Sequence, residues 1–206
     1  MAGYKTRQIM QELYGRGYIP HRDKIGLKQH VTFHLADSLP KKVIDRYKNE
    51  IKFIASGLRN NSTEDFEKKL VEQKIEKMQE YLDAGFGNCI LRNPILASIV
   101  VDSILEYAAG RYEIHAWCVM PNHVHALIKT TEFSLSSIIR SWKSYTANKI
   151  NKTIGKQQNI WQREYFDRYI RDDKHFIDTI NYIEDNPVKA GLVKQKDEWE
   201  WSSAHS

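Results

Sequence analysis

Two histidines two positions apart are the residues in this chain with the clearest potential for chemistry. His123 and His125 lie in the apolar, β-favouring run Met-Pro-Asn-His-Val-His-Ala-Leu-Ile at 120–128. Successive side chains on a strand alternate between faces, so both imidazoles would point the same way and could bind one ion. Oxygen ligands from elsewhere in the chain would have to complete such a site. The alternative is two polar residues on the solvated face of an edge strand, and the spacing alone leaves both interpretations open.

The elements around this pair predict that it lies near the centre of a domain. Residues 112–120 are also strand-like and mostly apolar, and Pro121-Asn122 is typical of a tight turn. The two strands therefore predict a hairpin with Val124, Ala126 and Ile128 facing the core.

A tyrosine and an amide occur together near the end of the last long helical pattern. Tyr182 and Asn186 are four residues apart in Tyr-Ile-Glu-Asp-Asn-Pro, so they share a helix face. Docked over the histidines, this helix would add an amide oxygen to the metal site and bring a phenol beside it. A phenol in that place can attack phosphorus and form a covalent intermediate. The alternative is a packing tyrosine and a helix C-terminal residue before proline, which the spacing alone favours.

Composition restricts the class of protein. The chain has 206 residues, 41% of them hydrophobic, and a net charge of +5. We expect one domain, with no membrane-spanning stretch and no apolar signal segment. The two cysteines, Cys89 and Cys118, form no CxxC pair and are predicted to be buried free thiols of a cytoplasmic protein.

The positive charge is concentrated in one aromatic-rich stretch. Residues 139–171 carry eight Lys or Arg against two acids, together with six aromatic rings. Cations for phosphates and rings for bases are what a groove for single-stranded nucleic acid requires. The alternative is a solvated helix face with a few core aromatics.

The order of elements predicts an α+β fold. Strands are predicted at 29–37, 112–120, 123–130 and 159–163, and they alternate with long helices at about 41–58, 64–83, 95–109, 135–152 and 174–186. This pattern indicates an antiparallel sheet with helices packed on one face, a ferredoxin-like sandwich with a helical insertion at 41–92. Residues 1–28 form a basic arm of the same single domain, 1–206. The mixed-charge helix at 64–83 shows no chemistry.

Three segments resemble the REP-associated tyrosine transposases, bacterial relatives of the single-tyrosine, His-hydrophobic-His transposases. They are Trp-Cys-Val-Met-Pro-Asn-His-Val-His at 117–125, Trp-Gln-Arg-Glu-Tyr-Phe-Asp-Arg-Tyr-Ile-Arg at 161–171, and Tyr-Ile-Glu-Asp-Asn-Pro-Val-Lys-Ala-Gly-Leu-Val at 182–193. The strand at 30–40 also matches, and the resemblance runs from about residue 18 to 203. It favours the metal-site interpretation of the histidines.

The resemblance implies a nuclease and strand transferase that acts on single-stranded DNA with palindromic hairpin repeats. It implies His123, His125 and Asn186 as ligands of Mg²⁺ or Mn²⁺, and Tyr182 as the nucleophile that takes the 5′ phosphate. Tyr145, Tyr165 and Tyr169 are rival nucleophiles by composition only. The alternative function is a domesticated, non-catalytic protein that binds hairpin DNA or RNA. From charge, position and the resemblance, we predict these DNA contacts: Lys143, Trp161, Arg163, Arg168, Arg171 and Lys189.

Overall fold

A four-stranded antiparallel sheet forms the centre of the computed structural model, which describes residues 25–39, 41–46, 49, 73, 76–108 and 110–205. Its order is β2-β3-β1-β4. The strands are β1 (Lys28–His34), β2 (Tyr112–Val119), β3 (His123–Thr130) and β4 (Phe166–Tyr169). The predicted hairpin is confirmed, because the Met120 N–H donates to His123 O at 2.8 Å and closes the turn at Pro121-Asn122.

The fourth strand differs from the prediction. It is Phe166–Tyr169, whereas the stretch predicted at 159–163 makes only an isolated bridge between Trp161 and Leu35. The reason is burial: Ile160 and Trp161 are both in the core, so this stretch does not alternate between faces as a half-buried strand does.

Helices connect and cover the strands. Within the described residues, they are α1 (41–46), α2 (76–83), α3 (Pro94–Glu106), α4 (Leu135–Ile154), α5 (Asp173–Glu184) and α6 (Asn186–Lys189). Asn93, Ser134 and Asp172 cap α3, α4 and α5 through side-chain oxygens. The basic arm at 1–24 and the predicted helical residues 50–72 lie outside the described residues.

Pro187 does not simply end the last long helix. α5 stops at Glu184, and the short α6 begins at Asn186 with Pro187 in its first turn. Proline is favoured there because its fixed φ suits the first turn and its missing N–H would be unpaired anyway. Tyr182 and Asn186 thus lie on two consecutive helices.

The alternation of side chains divides the sheet into two faces. One face carries the main core, in which Val31, Phe33, Val124 and Ala126 pack against α3 and α4. The sequence β1-α3-β2-β3-α4-β4 with this strand order is the ferredoxin-like arrangement, and its two crossover helices lie on one face as predicted. The α+β fold is therefore confirmed.

The other face is covered differently, and it holds the histidines. Leu127, Ala116 and Cys118 form a smaller apolar cluster with Ile183 of α5. α5 thus lies on the face opposite α3 and α4, which adds a layer that the one-face prediction lacked. Both cysteines are buried and free, as predicted. Among the helices that the structure describes, none is long and apolar enough to cross a bilayer.

Candidate metal centre and nucleophile

The two imidazoles of β3 converge as their spacing predicts. His123 Nε2 and His125 Nε2 lie 2.9 Å apart, and both side chains are almost completely buried. β1 lies beside β3, with His34 registered opposite His123 and Thr32 opposite His125. The pair therefore lies on the second face of a central strand, which excludes the interpretation as polar residues on a solvated edge.

Asn122 sets the tautomer of His123. Its amide nitrogen donates to Leu82 O at 3.1 Å and to Phe86 O at 3.0 Å, so both amide hydrogens are used. Its Oδ1 is then the acceptor for His123 Nδ1, 2.7 Å away. Because Nδ1 carries the proton, His123 Nε2 presents a lone pair to the site.

His125 has the matching arrangement. Its Nδ1 lies 3.0 Å from Thr32 Oγ1 and 3.1 Å from His30 Nε2, so an Nδ1 proton has two acceptors. Burial, followed by the neighbouring His123, lowers the pKa of His125 well below its ordinary value. Burial likewise lowers the pKa of His30 to about 3. Both rings are thus neutral at physiological pH, which is the form of histidine that ligates metals.

A carboxylate that the sequence analysis missed completes a possible ligand group. Asp83, at the end of α2, places Oδ1 3.4 Å from His123 Nε2. The ligand atoms of Asp83, His123 and His125 lie within 4.8 Å of one another, so these three residues could hold a metal ion. The same Asn122 that orients His123 also binds the carbonyl of Leu82, and it thereby docks the end of α2 onto the site.

Tyr182 and Asn186 reach the histidines from α5 and α6. The Tyr182 ring meets the His125 ring edge-on at 5.6 Å and the His30 ring at 5.7 Å. Asn186 is fully buried, with Nδ2 3.3 Å from His125 Nε2. Burial, reinforced by the negative charge of Asp83, raises the pKa of Tyr182 above its ordinary value, and the Asn186 amide acts in the opposite direction.

The donor set fits a divalent cation. Asp83 Oδ1, Asn186 Oδ1 and the Tyr182 hydroxyl are buried and have no hydrogen-bond partner. Two unprotonated imidazole nitrogens at 2.9 Å repel each other unless a proton or a cation lies between them. Neighbouring ligands of an octahedral ion, each about 2.1 Å from it, are about 3.0 Å apart. Two imidazole nitrogens and one carboxylate oxygen form a mixed N/O set that suits a divalent ion such as Mg²⁺ or Mn²⁺.

The other tyrosines are placed differently. Tyr145 packs edge-on against Tyr107, and Tyr165 is buried in the core beneath α4. Tyr169 is in β4, half-buried. Of the tyrosines that the structure describes, Tyr182 is the one with ring contacts to His125.

Two of the residues that were predicted to contact DNA form hydrogen bonds within the protein. Lys143 Nζ donates to the carbonyls of Gln162, Arg163 and Glu164 at 3.0, 3.2 and 2.9 Å, and burial lowers its pKa to about 8. Trp161 is 5% exposed and donates from Nε1 to Thr146 Oγ1. In this conformation the Trp161 ring is buried, and the partly buried Lys143 ammonium is bound by three carbonyls.

The remaining predicted contacts are nearer the surface. Arg163, Arg171 and Lys189 are exposed, and Arg168 is half-buried in β4. Lys189 Nζ lies 4.8 Å from the centre of the Tyr182 ring. The structure thus brings Lys189 to the candidate nucleophile.

Part of the chain matches a known protein family. Residues 96–186 match the family described as "Transposase IS200 like". That segment contains His123, His125, Tyr182 and Asn186, whereas Asp83 lies outside it. The comparisons below confirm the resemblance seen in the motifs, because they find similarity to REP-associated tyrosine transposases.

Particular relatives can be named. The chain is 31% identical to a putative REP-associated tyrosine transposase of Haemophilus influenzae, over 46% of this chain and 60% of that protein. It is 33% identical to a REP-associated tyrosine transposase of Escherichia coli, over 46% of this chain and 55% of that protein. The matches thus span little more than half of these relatives.

A solved structure supports the fold. A REP-associated tyrosine transposase, solved bound to a REP hairpin, superposes with a TM-score of 0.55 at 20% identity. The match covers 92% of this chain and 84% of that one. At this identity the likeness establishes the shared fold.

Proposed function

We propose that this protein is a metal-dependent endonuclease and strand transferase that acts on single-stranded DNA with hairpin-forming repeats. The observation that carries the proposal is the convergence of Tyr182 on His125, beside a carboxylate and an amide whose buried oxygens have no partners. The relatives named above are transposases, and one was solved with a hairpin, which supports the same class of substrate.

The residues have distinct roles in this proposal. His123, His125, Asp83 and Asn186 would hold the ion. When bound, a divalent ion supplies Lewis-acid polarisation of a phosphoryl oxygen and orients the phosphate. Asn122, Thr32 and His30 keep the imidazoles in the tautomers that leave each Nε2 available.

Tyr182 performs the covalent step. Its phenol oxygen attacks phosphorus, the bond from phosphorus to the 3′ oxygen breaks, and the phenol proton is lost while the leaving oxygen gains one. The products are a 5′-phosphotyrosine and a free 3′ hydroxyl. The phosphotyrosine keeps the ester energy, so a 3′ hydroxyl can later reverse the reaction and join strands without ATP.

Cations near the site are proposed to hold the DNA backbone. Lys189 lies over the Tyr182 ring. Arg168 is in β4, and the residues just before and just after this strand include Arg163 and Arg171. Lys143 and Trp161 support this region from beneath, since Lys143 fixes the carbonyls of 162–164.

The test is formation of a protein–DNA adduct that survives denaturation. We expect an end-labelled hairpin oligonucleotide to become attached to the protein with Mg²⁺ or Mn²⁺, and not with EDTA. Tyr182→Phe should abolish the adduct, and Tyr145→Phe should retain it. A hairpin that binds but is never cut, with His123→Ala leaving affinity unchanged, would support the non-catalytic alternative instead.

A further inference from the structure

A cleft of about 240 Å³ is lined by Tyr182 and does not include His123 in its lining. Its walls come from α2, β4 and α5, and its floor includes His30 and Thr32 of β1. Tyr182 and His30 thus belong both to this cleft and to the candidate metal centre. The volume is of the size of one nucleoside rather than of a folded hairpin.

The charge of the walls disfavours a phosphate. Among the residues that the structure describes, the cleft is lined by three carboxylates, from Glu76, Asp167 and Asp178, and by one guanidinium, from Arg168. Asp178 pairs with Lys174 at 2.6 Å, and Asp167 accepts from Gln29 Nε2 at 3.2 Å. Glu76 is exposed and has no ion pair within the described part of the chain. A carboxylate in this position repels a phosphate and accepts hydrogen bonds from amino groups.

An aromatic ring gives the cleft a stacking surface. Phe166 is half-buried and lines the cleft, with its ring nearly parallel to the His34 imidazole at 6.2 Å and 18°. Phe166 is registered opposite Thr32 in the sheet, and Thr32 is the hydrogen-bond partner of His125. The ring therefore lies on the same face of the sheet as His125, with β1 between its strand and the strand of the histidines.

We propose that the cleft receives one unpaired base next to the phosphate that Tyr182 attacks, stacks it on Phe166, and uses Glu76 to prefer a base with an exocyclic amino group over thymine. The proposal rests on the proposed function, because it assumes that Tyr182 attacks DNA. Adenine, cytosine and guanine each carry an amino group that can donate to a carboxylate. Thymine would turn a carbonyl toward Glu76, and two acceptors repel.

Substrates that differ in a single base test this directly. Hairpin oligonucleotides carry each of the four bases at the positions on either side of the cleavage site, and the rate of adduct formation is measured for each. We expect thymine at one of these positions to lower the rate about tenfold or more, since one good base contact is worth about 1–3 kcal/mol. Glu76→Ala should reduce that discrimination to below about threefold.

Matched variants separate the cleft from general effects of charge and ring removal. Glu80 is also exposed on α2 but pairs with Lys77 and does not line the cleft, so Glu80→Ala should keep the base preference. Phe166→Ala should weaken binding of all four substrates about fivefold or more, because stacking on a ring contributes about 1–3 kcal/mol per base. Phe133→Ala, which removes an exposed ring elsewhere, should not.

The outcomes distinguish this inference from the proposed function. Adducts that form equally well with all four bases, or a preference that survives Glu76→Ala, overturn the base site and leave the nuclease intact. If no substrate forms an adduct, the proposed function fails, and affinities of the Tyr182→Phe variant for the same four oligonucleotides decide the cleft. Equal affinities that Phe166→Ala does not change then overturn it.

Discussion

Removing the Tyr182 hydroxyl should stabilise the metal-free protein. The hydroxyl is buried without a hydrogen-bond partner, and such a group costs about 1–3 kcal/mol. Since the whole side chain is only partly buried, we expect Tyr182→Phe to gain about 1 kcal/mol. In a chain of this length, that is a rise in Tm of about 2–4 °C by scanning calorimetry in EDTA. The same variant should form no DNA adduct.

Tyr112 provides a control with the opposite sign. Its hydroxyl donates to the carbonyl of Ile104 and accepts from Trp142 Nε1 at 2.9 Å, all within the core. Tyr112→Phe leaves both partners unpaired and should cost about 2 kcal/mol, which lowers Tm by about 4–8 °C. If Tyr182→Phe instead lowers Tm in EDTA, the Tyr182 hydroxyl is hydrogen-bonded in the native state. The hydroxyl would then not be unpaired, contrary to its surroundings in the structure.

Three further perturbations test the rest of the site. Asp83→Asn should weaken Mn²⁺ binding by about tenfold or more in titration calorimetry, whereas Asp102→Asn, on the opposite face of the sheet, should leave it unchanged. Equal Mn²⁺ affinities of the Asp83→Asn variant and the unchanged protein would show that Asp83 is not a ligand. Lys143→Met should lower Tm without changing the salt dependence of DNA binding. Arg163→Gln should reduce the slope of that salt dependence by about one without lowering Tm. A reduced salt slope and an unchanged Tm for Lys143→Met would make Lys143 a phosphate contact. The unfolded chain binds a proton at His30 more readily between pH 3 and 6.5, because burial lowers the folded pKa from 6.5 to about 3. The free energy of unfolding in EDTA should therefore fall as pH drops below 6.5. His30→Asn should reduce the slope of the free energy of unfolding against pH by up to about 1.4 kcal/mol per pH unit. An unchanged slope in denaturant titrations would contradict a buried neutral ring at His30.

Local periodicity predicted the parts of the site that lie on single elements. The alternation of a strand places His123 and His125 on one face whatever the rest of the chain does, and the structure confirms that they converge. The turn at Pro121-Asn122 was predicted for the same reason, since it depends on a few neighbouring residues.

Local periodicity could not identify Asp83 as a candidate metal ligand. It ends a helix whose charged residues look like an ordinary solvated face, and it lies 40 positions before His123 in the chain. What brings it to the site is a contact between distant segments, the two hydrogen bonds from the Asn122 amide to the carbonyls of Leu82 and Phe86. No periodicity encodes such a contact.

The aromatic and basic stretch shows the same division. Composition identified the basic and aromatic stretch at 139–171, but it could not show that Trp161 is buried or that Lys143 binds three carbonyls, because both depend on how α4 packs against residues 160–165. The sequence by itself therefore determined the α+β class and the paired imidazoles, whereas Tyr182 and Asn186 lie on two consecutive helices and not on one predicted helix. Only the tertiary structure decided that α5 closes over the second face of the sheet and that a carboxylate joins the imidazoles, because both depend on packing between residues far apart in the chain.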